Sequence, residues 1–210
     1  MDGVAMEKKV DAAVRVTTAP SDRAWPPPQG RWTYEDWLRL PDDGWQYEVI
    51  KGVLYMVPAP TPKHQRVSRN LEFAMWRFVQ ESQLGEVFDA PTDVYLPSQE
   101  TPVQPDLLFV ATGGAATVSE RGIEGAPDLV VEILSPRTWW RDRRVKMPLY
   151  EEAGVRELWL IDPNISTIEV YVLRGGAYAL LGQWGPGEQA HSEVLEGFAI
   201  GADEIMPAGR

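Results

Sequence analysis

The sequence predicts one mixed α/β domain in which helices flank a central β-sheet. Short β-rich runs alternate with two long helical segments, and no internal repeat is present. A helical segment separates the apolar runs 128–134 and 157–162, which is the βαβ arrangement of two parallel neighbouring strands. A chain of 210 residues is long enough to bury a sizeable core in one such domain.

The first elements are short. Residues 1–30 lack periodicity and end in "WPPPQG", which predicts a flexible N-terminal arm ahead of a domain spanning 31–210. Thr33, with Asp36 three residues later, predicts the capped start of a short helix. Two β-rich runs, "QYEVI" and "VLYMV", flank Lys51-Gly52 and predict a β-hairpin.

A long helix and several strands follow the hairpin. Apolar residues at helical spacing predict a helix over 62–83, with a glycine beyond its end. The runs "EVFDA", "DVYLP", "VQPDLLFV" and "DLVVEIL" are typical of strands. The glycine-rich stretch 113–127 between the last two runs predicts a mobile loop that could serve as a lid.

The C-terminal third begins with a helical segment over 137–154. Pro148 lies inside it, so either the helix kinks there or a new helix begins near Met147. Four further runs predict strands, with the last one less regular: "ELWLID", "TIEVYVL", "YALLGQW" and "HSEVLEGFAI".

The composition excludes several classes of protein. There is no cysteine, which excludes disulfides, thiolate metal sites and a cysteine nucleophile. No secretory signal and no membrane-spanning apolar run is recognisable, so we expect a cytoplasmic protein without membrane contact. The net charge of −11 argues against general phosphate-backbone binding. Five of the 20 basic residues nevertheless fall within 137–146.

Three acidic residues stand inside apolar β-rich runs: Glu48, Asp106 and Glu132. If the strands of Asp106 and Glu132 are neighbours, their carboxylates converge and repel each other, and one must take up a proton. A divalent cation would remove this repulsion, and Mg²⁺ prefers carboxylate oxygens, water and phosphate. Lys146 is the candidate for stabilising charge or orienting water at such a site.

The same acids also have structural interpretations. Glu132 could face solvent on an edge strand, and Asp106 could accept hydrogen bonds from turn amides. Asp128, in the second Pro-Asp pair, is expected to tighten the loop before its strand. Spacing alone does not decide between these interpretations and a metal site.

Several motifs together resemble the Uma-type family, which belongs to the PD-(D/E)XK restriction-endonuclease-like superfamily. They are "YEVIKG", His64, "QPDLLFV", "APDLVVEILSP", Lys146, "LYEEAGV" and "ELWLIDP", in the family's order and spacing. The resemblance covers the chain from about Tyr34 to the C-terminus. It implies a restriction-endonuclease-like fold and a DNA endonuclease that uses Mg²⁺, with Mn²⁺ as a substitute.

The resemblance also assigns roles. Asp106 and Glu132 match the two acids of the motif, and Glu48 matches the hairpin acid, a further candidate metal ligand. Leu134 occupies the usual lysine position, so Lys146 from the following helix is the expected replacement.

The remaining candidates concern nucleic-acid contact. His64 could touch a phosphate or relay a proton, or it could only begin a helix. A set of arginines could grip phosphates, or could form a solvated face that pairs with the chain's acids: Arg137, Arg141, Arg143 and Arg144. Trp139 and Trp140 could stack on bases or belong to the core. His191 is expected at the surface, and Tyr150 is expected in the core beneath the site.

Two main functions compete. The first is a metal-dependent nuclease that uses the acids and Lys146, and the second is a catalytically inactive nuclease-like binding or regulatory module. A glycoside hydrolase with two carboxylates would leave Lys146 and the arginines unexplained. The oligomeric state is left open, and a homodimer is one arrangement in which two sites could address two strands.

Overall fold

A computed structural model describes residues 25–57 and 59–206 of the chain. Most of the proposed arm, residues 1–24, lies outside the described residues. The end of the arm contacts the hairpin, because the Gln29 side chain accepts a hydrogen bond from Leu54 N at 2.8 Å and donates one to Leu54 O at 3.2 Å. Trp25 and Trp32 meet edge to face with their ring centroids 5.6 Å apart.

The first half of the described chain matches the sequence prediction closely. Thr33 and Asp36 form the predicted capping box at the start of the first helix. The elements are α1 Tyr34–Leu38, β1 Gln46–Ile50, β2 Val53–Val57, α2 Pro62–Ser82, β3 Gly85–Asp89, β4 Val94–Tyr95 and β5 Leu107–Ala111.

The second half contains two short strands that the sequence interpretation missed. The stretch predicted to be a mobile loop forms a small hairpin, β6 Thr117–Ser119 and β7 Gly122–Glu124, which pairs with β4. None of its residues lines the cleft described below. The strand β8 then spans Leu129–Ile133.

The segment after β8 contains one continuous helical run whose hydrogen-bond pattern changes along its length. A short helix, α3 Trp139–Arg141, runs into one π-helical turn, Asp142–Lys146, and then into α4 Met147–Ala153. Pro148 lies just after the π-helical turn, and Lys146 and Met147 keep helical dihedral angles, so the run passes through the proline without a new helix cap. The chain ends with β9 Glu157–Asp162, β10 Thr167–Arg174, β11 Ala177–Trp184, β12 Gln189–His191, β13 Ala199–Gly201 and α5 Ala202–Ile205. The last predicted strand is thus two short strands, β12 and β13, paired with each other.

The central sheet has six strands in the order β11-β10-β9-β8-β5-β3. β8 and β9 are parallel, as the βαβ arrangement predicts, whereas β5 pairs with β8 in the antiparallel direction. Alternation along β8 separates two cores. Leu129 and Val131 pack with the buried face of α2, while Val130 packs on the opposite side, where α4 lies.

The helices among the described residues include none with the length and apolar character needed to cross a membrane.

Candidate active site

A cleft of about 880 Å³ opens at one end of the central sheet. The first half of α2, the β1–β2 hairpin, the ends of β5 and β8 and the segment 135–146 form its walls. Six carboxylate and four Lys or Arg side chains of the described residues line it: Glu48, Glu72, Asp89, Asp106, Glu132, Asp142, Arg69, Arg137, Arg141 and Lys146.

Asp106 and Glu132 meet across neighbouring strands. The β5–β8 register pairs Leu107 with Val131, and its continuation by one residue places Asp106 opposite Glu132. The Asp106 Oδ2 atom accepts a 2.6 Å hydrogen bond from the backbone N–H of Ile133. Glu132 is buried, while the Asp106 side chain is about one-fifth exposed, at 21%. The two acids of the sequence motif therefore occupy adjoining positions at the floor of the cleft.

Lys146 returns from the helical segment to the strand that carries Glu132. Its Nζ atom lies 3.0 Å from Glu132 Oε1 and 3.3 Å from Oε2, and it also donates to the backbone carbonyl of Gln104 at 3.2 Å. The π-helical turn ends at Lys146, so one extra residue is accommodated just where the side chain must point into the sheet. The structure thus places an ammonium beside Glu132, as the sequence interpretation of Lys146 requires.

Glu48 links Lys146 to Arg141. Its Oε1 atom lies 3.0 Å from Lys146 Nζ and accepts a hydrogen bond from Gln104 N at 3.1 Å. Its Oε2 atom lies 3.2 Å from a terminal nitrogen of Arg141, at an angle outside the hydrogen-bond range. Since both oxygens adjoin cations, this arrangement favours Glu48 as the residue that holds Lys146 and Arg141 over Glu48 as a metal ligand.

Burial and crowding control the charge of the central pair. Burial raises the pKa of Glu132 to about 8, and the carboxylates of Asp142, Asp106 and Glu48 add to this, although the Lys146 ammonium opposes it. Burial alone would lower the pKa of Lys146, but Glu132 and Glu48 more than offset this and raise it. Lys146 therefore stays charged at neutral pH, and the acids around it compete for its single charge.

His64 lies against Asp106 on the α2 side of the cleft. Its Nε2 atom is 3.2 Å from Asp106 Oδ2, and its backbone N–H donates to the Thr61 Oγ1 of the helix cap. Burial lowers the pKa of His64, but Asp106 and then Asp142 outweigh it, so the net shift is upward. The structure shows the helix-start hydrogen bond and places His64 in the cleft beside Asp106, while its contact with a phosphate or its relay of a proton stays a prediction.

The four arginines have different surroundings. Arg141 is buried. One of its terminal nitrogens lies 3.2 Å from Glu48 Oε2, and its Nε atom lies 3.6 Å from Asp142 Oδ1. Arg143 forms a two-pronged pair with Glu169 on β10, with both N···O distances at 2.8 Å. Arg137 is exposed and lines the cleft, and Arg144 is exposed outside it. The structure therefore does not bring the four guanidinium groups together on one surface, and Arg137 is the member best placed to meet a ligand in the cleft.

The acids of the cleft fit a divalent cation held by two carboxylates, and they do not fit a site with three protein ligands. In the described part of the chain, no three His, Asp or Glu side chains are placed so that together they could hold a metal ion. Asp106 and Glu132 remain, and Mg²⁺ is commonly bound by one or two carboxylates together with water and substrate phosphate. The buried Oδ1 atom of Asp142 lacks a hydrogen-bond donor, and acids outnumber bases in the cleft, so a cation would find unmet negative charge there.

Sequence reasoning missed two contributors to the site, Gln104 and Asp142, and one contact of a third, Tyr150. Gln104 contacts Glu48 and Lys146 through its backbone N–H and carbonyl, so no side-chain pattern in the sequence could have identified it. Asp142 lies one helical turn before Lys146, a spacing that could have identified it. Tyr150 is buried in the core beneath the site, as predicted, but the hydrogen bond of its hydroxyl to Glu132 Oε1, at 2.6 Å, was not foreseen.

Comparisons with known proteins agree with this fold. A family model described as "Uma2: Putative restriction endonuclease" matches residues 34–203. Among solved structures, a "putative nuclease belonging to DUF820" from Anabaena variabilis is similar, with a TM-score of 0.67 and 20% sequence identity, covering 83% of this chain and 97% of that chain. None of the curated proteins matches the chain. The structural similarity confirms the predicted nuclease-like fold.

Proposed function

This chain belongs to the Uma2 family, and from the surroundings of Lys146 we propose that it is a Mg²⁺-dependent endonuclease that hydrolyses DNA phosphodiester bonds. The observation that carries the proposal is the position of the Lys146 ammonium, 3.0 Å from Glu132 and 3.0 Å from Glu48 in a cleft that also contains Asp106. An acid–acid–lysine set at the end of a sheet is the arrangement that the family resemblance implies.

Asp106 and Glu132 would hold the cation. When bound, Mg²⁺ polarises a phosphoryl oxygen and activates a water molecule. The Lys146 ammonium is fixed by three acceptors, so its charge would act on the developing negative charge of the phosphate from a preset position and without a direct hydrogen bond. His64 and Arg137 lie on the walls of the same cleft, where they would contact the phosphate backbone.

The test is cleavage of circular DNA, because only an endonuclease opens a circle. We expect cleavage in Mg²⁺ and Mn²⁺ and none in EDTA. Asp106→Asn and Glu132→Gln should each lower the initial rate by about 100-fold or more. Asp106→Asn is the variant less prone to disturb folding, because the Asp106 side chain is partly exposed whereas Glu132 is buried. Arg174→Gln, in a solvent-exposed pair with Glu193, is the matched control and should cleave like the wild type.

Two results would contradict the proposal. One is cleavage that persists in EDTA or survives both acid substitutions. The other is a wild-type protein that binds Mn²⁺ and DNA and never cleaves, which would identify the inactive nuclease-like module instead.

A further inference from the structure

Two consecutive tryptophans lie at the edge of the cleft with much of their surface in solvent. Trp139 is 47% exposed and Trp140 is 44% exposed. They begin α3 directly after Thr138, and Arg137, Thr138 and Arg141 on either side of them line the cleft. Exposed aromatic pairs are costly to solvate, and contiguous exposed apolar surface commonly marks an interaction site.

The tryptophans are continuous with the hairpin that carries Glu48. The ring centroids of Trp140 and Tyr55 are 6.1 Å apart, and the Arg141 guanidinium carbon lies 6.0 Å from the Tyr55 ring centroid. Tyr55 is the direct cross-strand partner of Glu48. Tyr55 and Trp140 thus contact each other beside the site, and we refer to them together with the adjoining exposed Trp139 as the aromatic rim.

The charge near this rim is unfavourable for a phosphate-gripping surface. Among the described cleft residues, acids outnumber Lys and Arg, and the whole chain carries a net charge of −11. Arg141 and Arg143 are already paired with Glu48 and Glu169. Duplex DNA is bound largely through phosphate neutralisation, whereas base stacking on aromatic rings needs no cation and suits any base.

We propose that the aromatic rim binds unpaired bases, so that the substrate of the cleft is single-stranded DNA or DNA with an unpaired segment. This inference rests on the proposed nuclease function, because it assigns the substrate class of the same cleft. Bases of an intact duplex already stack on one another and leave no face for Trp139 or Trp140. An unpaired strand offers those faces while its backbone passes the acids and Lys146.

The experiment is a binding comparison by fluorescence anisotropy. The probe is a labelled single strand of about 20 nucleotides, longer than common single-strand sites, used alone and annealed to its complement. Binding is measured in EDTA and again with Ca²⁺. The variants are Trp139→Ala/Trp140→Ala, the conservative Trp139→Phe/Trp140→Phe, and the control Phe73→Ala, an aromatic residue on α2 that is 61% exposed and does not line the cleft.

We expect the wild type to bind the single strand more tightly than the duplex. The double alanine variant should lose about 5- to 150-fold in single-strand affinity for each stacked base, with little change for the duplex. The phenylalanine variant should retain most of the affinity, and Phe73→Ala should match the wild type.

Three results would overturn the inference. They are equal or tighter duplex binding by the wild type, no binding of either probe, and single-strand affinity of the double alanine variant within about two-fold of the wild type. A wild-type dimer that dissociates in the double alanine variant, measured by light scattering, would reassign the rim to a contact between two copies. Cleavage is scored separately with Asp106→Asn. If the protein does not cleave DNA but binds the single strand through the tryptophans as expected, the proposed reaction is wrong and the inference about binding stands.

Discussion

Tyr150 donates a 2.6 Å hydrogen bond to Glu132 Oε1, and both side chains are buried. The same oxygen accepts from Lys146 at 3.0 Å, while Oε2 has a longer contact of 3.3 Å with that ammonium. Within the described part of the chain, Oε2 has no other donor. Tyr150 and Lys146 therefore fix one oxygen of Glu132 and leave the other with spare acceptor capacity for a ligand in the cleft.

The first prediction concerns this hydroxyl. Tyr150→Phe keeps the ring and removes a hydrogen bond to a buried carboxylate, so the free energy of unfolding should fall by about 1.5–3 kcal/mol. Urea denaturation measures it. Tyr178→Phe is the matched control, because the Tyr178 hydroxyl donates at 2.9 Å to the neutral Val155 carbonyl and its loss should cost only about 0.5–1.5 kcal/mol. A Tyr150 variant no less stable than the Tyr178 variant would refute the assignment.

The second prediction concerns Lys146→Met. This substitution leaves Glu132 and Glu48 buried without their shared cation, which should destabilise the protein by about 3–5 kcal/mol in alkaline solution. Burial raises the pKa of Glu132 to about 8 in the wild type, although the Lys146 ammonium lowers it. Removing the ammonium should therefore raise this pKa further. A carboxyl group whose pKa is higher in the folded than in the unfolded state penalises folding above the folded pKa, and the penalty disappears below the unfolded one.

The destabilisation by Lys146→Met should therefore be largest in alkaline solution and shrink as the pH falls to about 8, because below the wild-type pKa of Glu132 the carboxyl is protonated in both folded proteins. Urea titrations of both proteins at several pH values measure it. Lys51→Met is the control, since Lys51 and Glu152 are both more than half exposed and their pair should contribute almost nothing at any pH. A loss of stability that is constant with pH would mean that the buried carboxylates do not respond to the missing ammonium.

The third prediction separates Arg143 from DNA binding. The two prongs of Arg143 and the Tyr171 hydroxyl all reach Glu169 at 2.8 Å. Burial raises the pKa of Glu169, but these donors outweigh it and the net pKa lies below 4.5. The stabilisation is then fully present above the unfolded pKa and is lost as the pH falls through the folded pKa.

Glu169→Gln should accordingly cost about 1 kcal/mol near neutral pH and nothing in strong acid. Arg143→Gln should show the same stability profile with unchanged DNA affinity. Thermal melts across pH and anisotropy with the single-stranded probe measure the two properties. If Arg143→Gln instead weakens DNA binding and leaves stability intact, the arginine belongs to the nucleic-acid surface.

The fourth prediction concerns a buried carboxylate that does not line the cleft. Glu157 on β9 is fully buried and accepts four hydrogen bonds, from Trp159 Nε1, Ser192 Oγ and the backbone N–H groups of Glu193 and Val194. Glu157→Gln sets an NH₂ group against these donors, so stability should fall by about 3 kcal/mol or more. Glu193→Gln removes only an exposed charge and should stay within about 0.5 kcal/mol of the wild type, as measured by urea denaturation. Equal stability of the two variants would show that the Glu157 site rearranges to accept an amide.

The sequence predicted the elements whose signals are local. The Thr33–Asp36 cap, the Lys51-Gly52 turn and the α2 apolar periodicity each depend on residues close in the chain, and each is present. It also predicted Lys146 beside Glu132, because βαβ connection brings the following helix back onto the strand. The pairing of Arg143 with Glu169 could not be read in this way, since it depends on the register of β10 against a π-helical turn. The 113–127 hairpin was missed because its glycines suit a loop and a tight three-strand sheet equally well.

The last prediction concerns the salt dependence of DNA binding. Of the four arginines that the sequence singled out, Arg137 is both exposed and on the cleft wall, whereas Arg144 is exposed outside it. Neutralising a residue that contacts phosphate removes one counterion-release event, which lowers the slope of log affinity against log salt by about 0.7 on a single strand. Arg137→Gln should therefore flatten the slope by that amount, and Arg144→Gln, which removes the same charge seven residues away, should leave it unchanged. Anisotropy titrations at several salt concentrations measure both slopes. Equal flattening by the two variants would indicate that only the overall charge of the chain acts, and a slope unchanged by Arg137→Gln would place the DNA backbone away from this wall of the cleft.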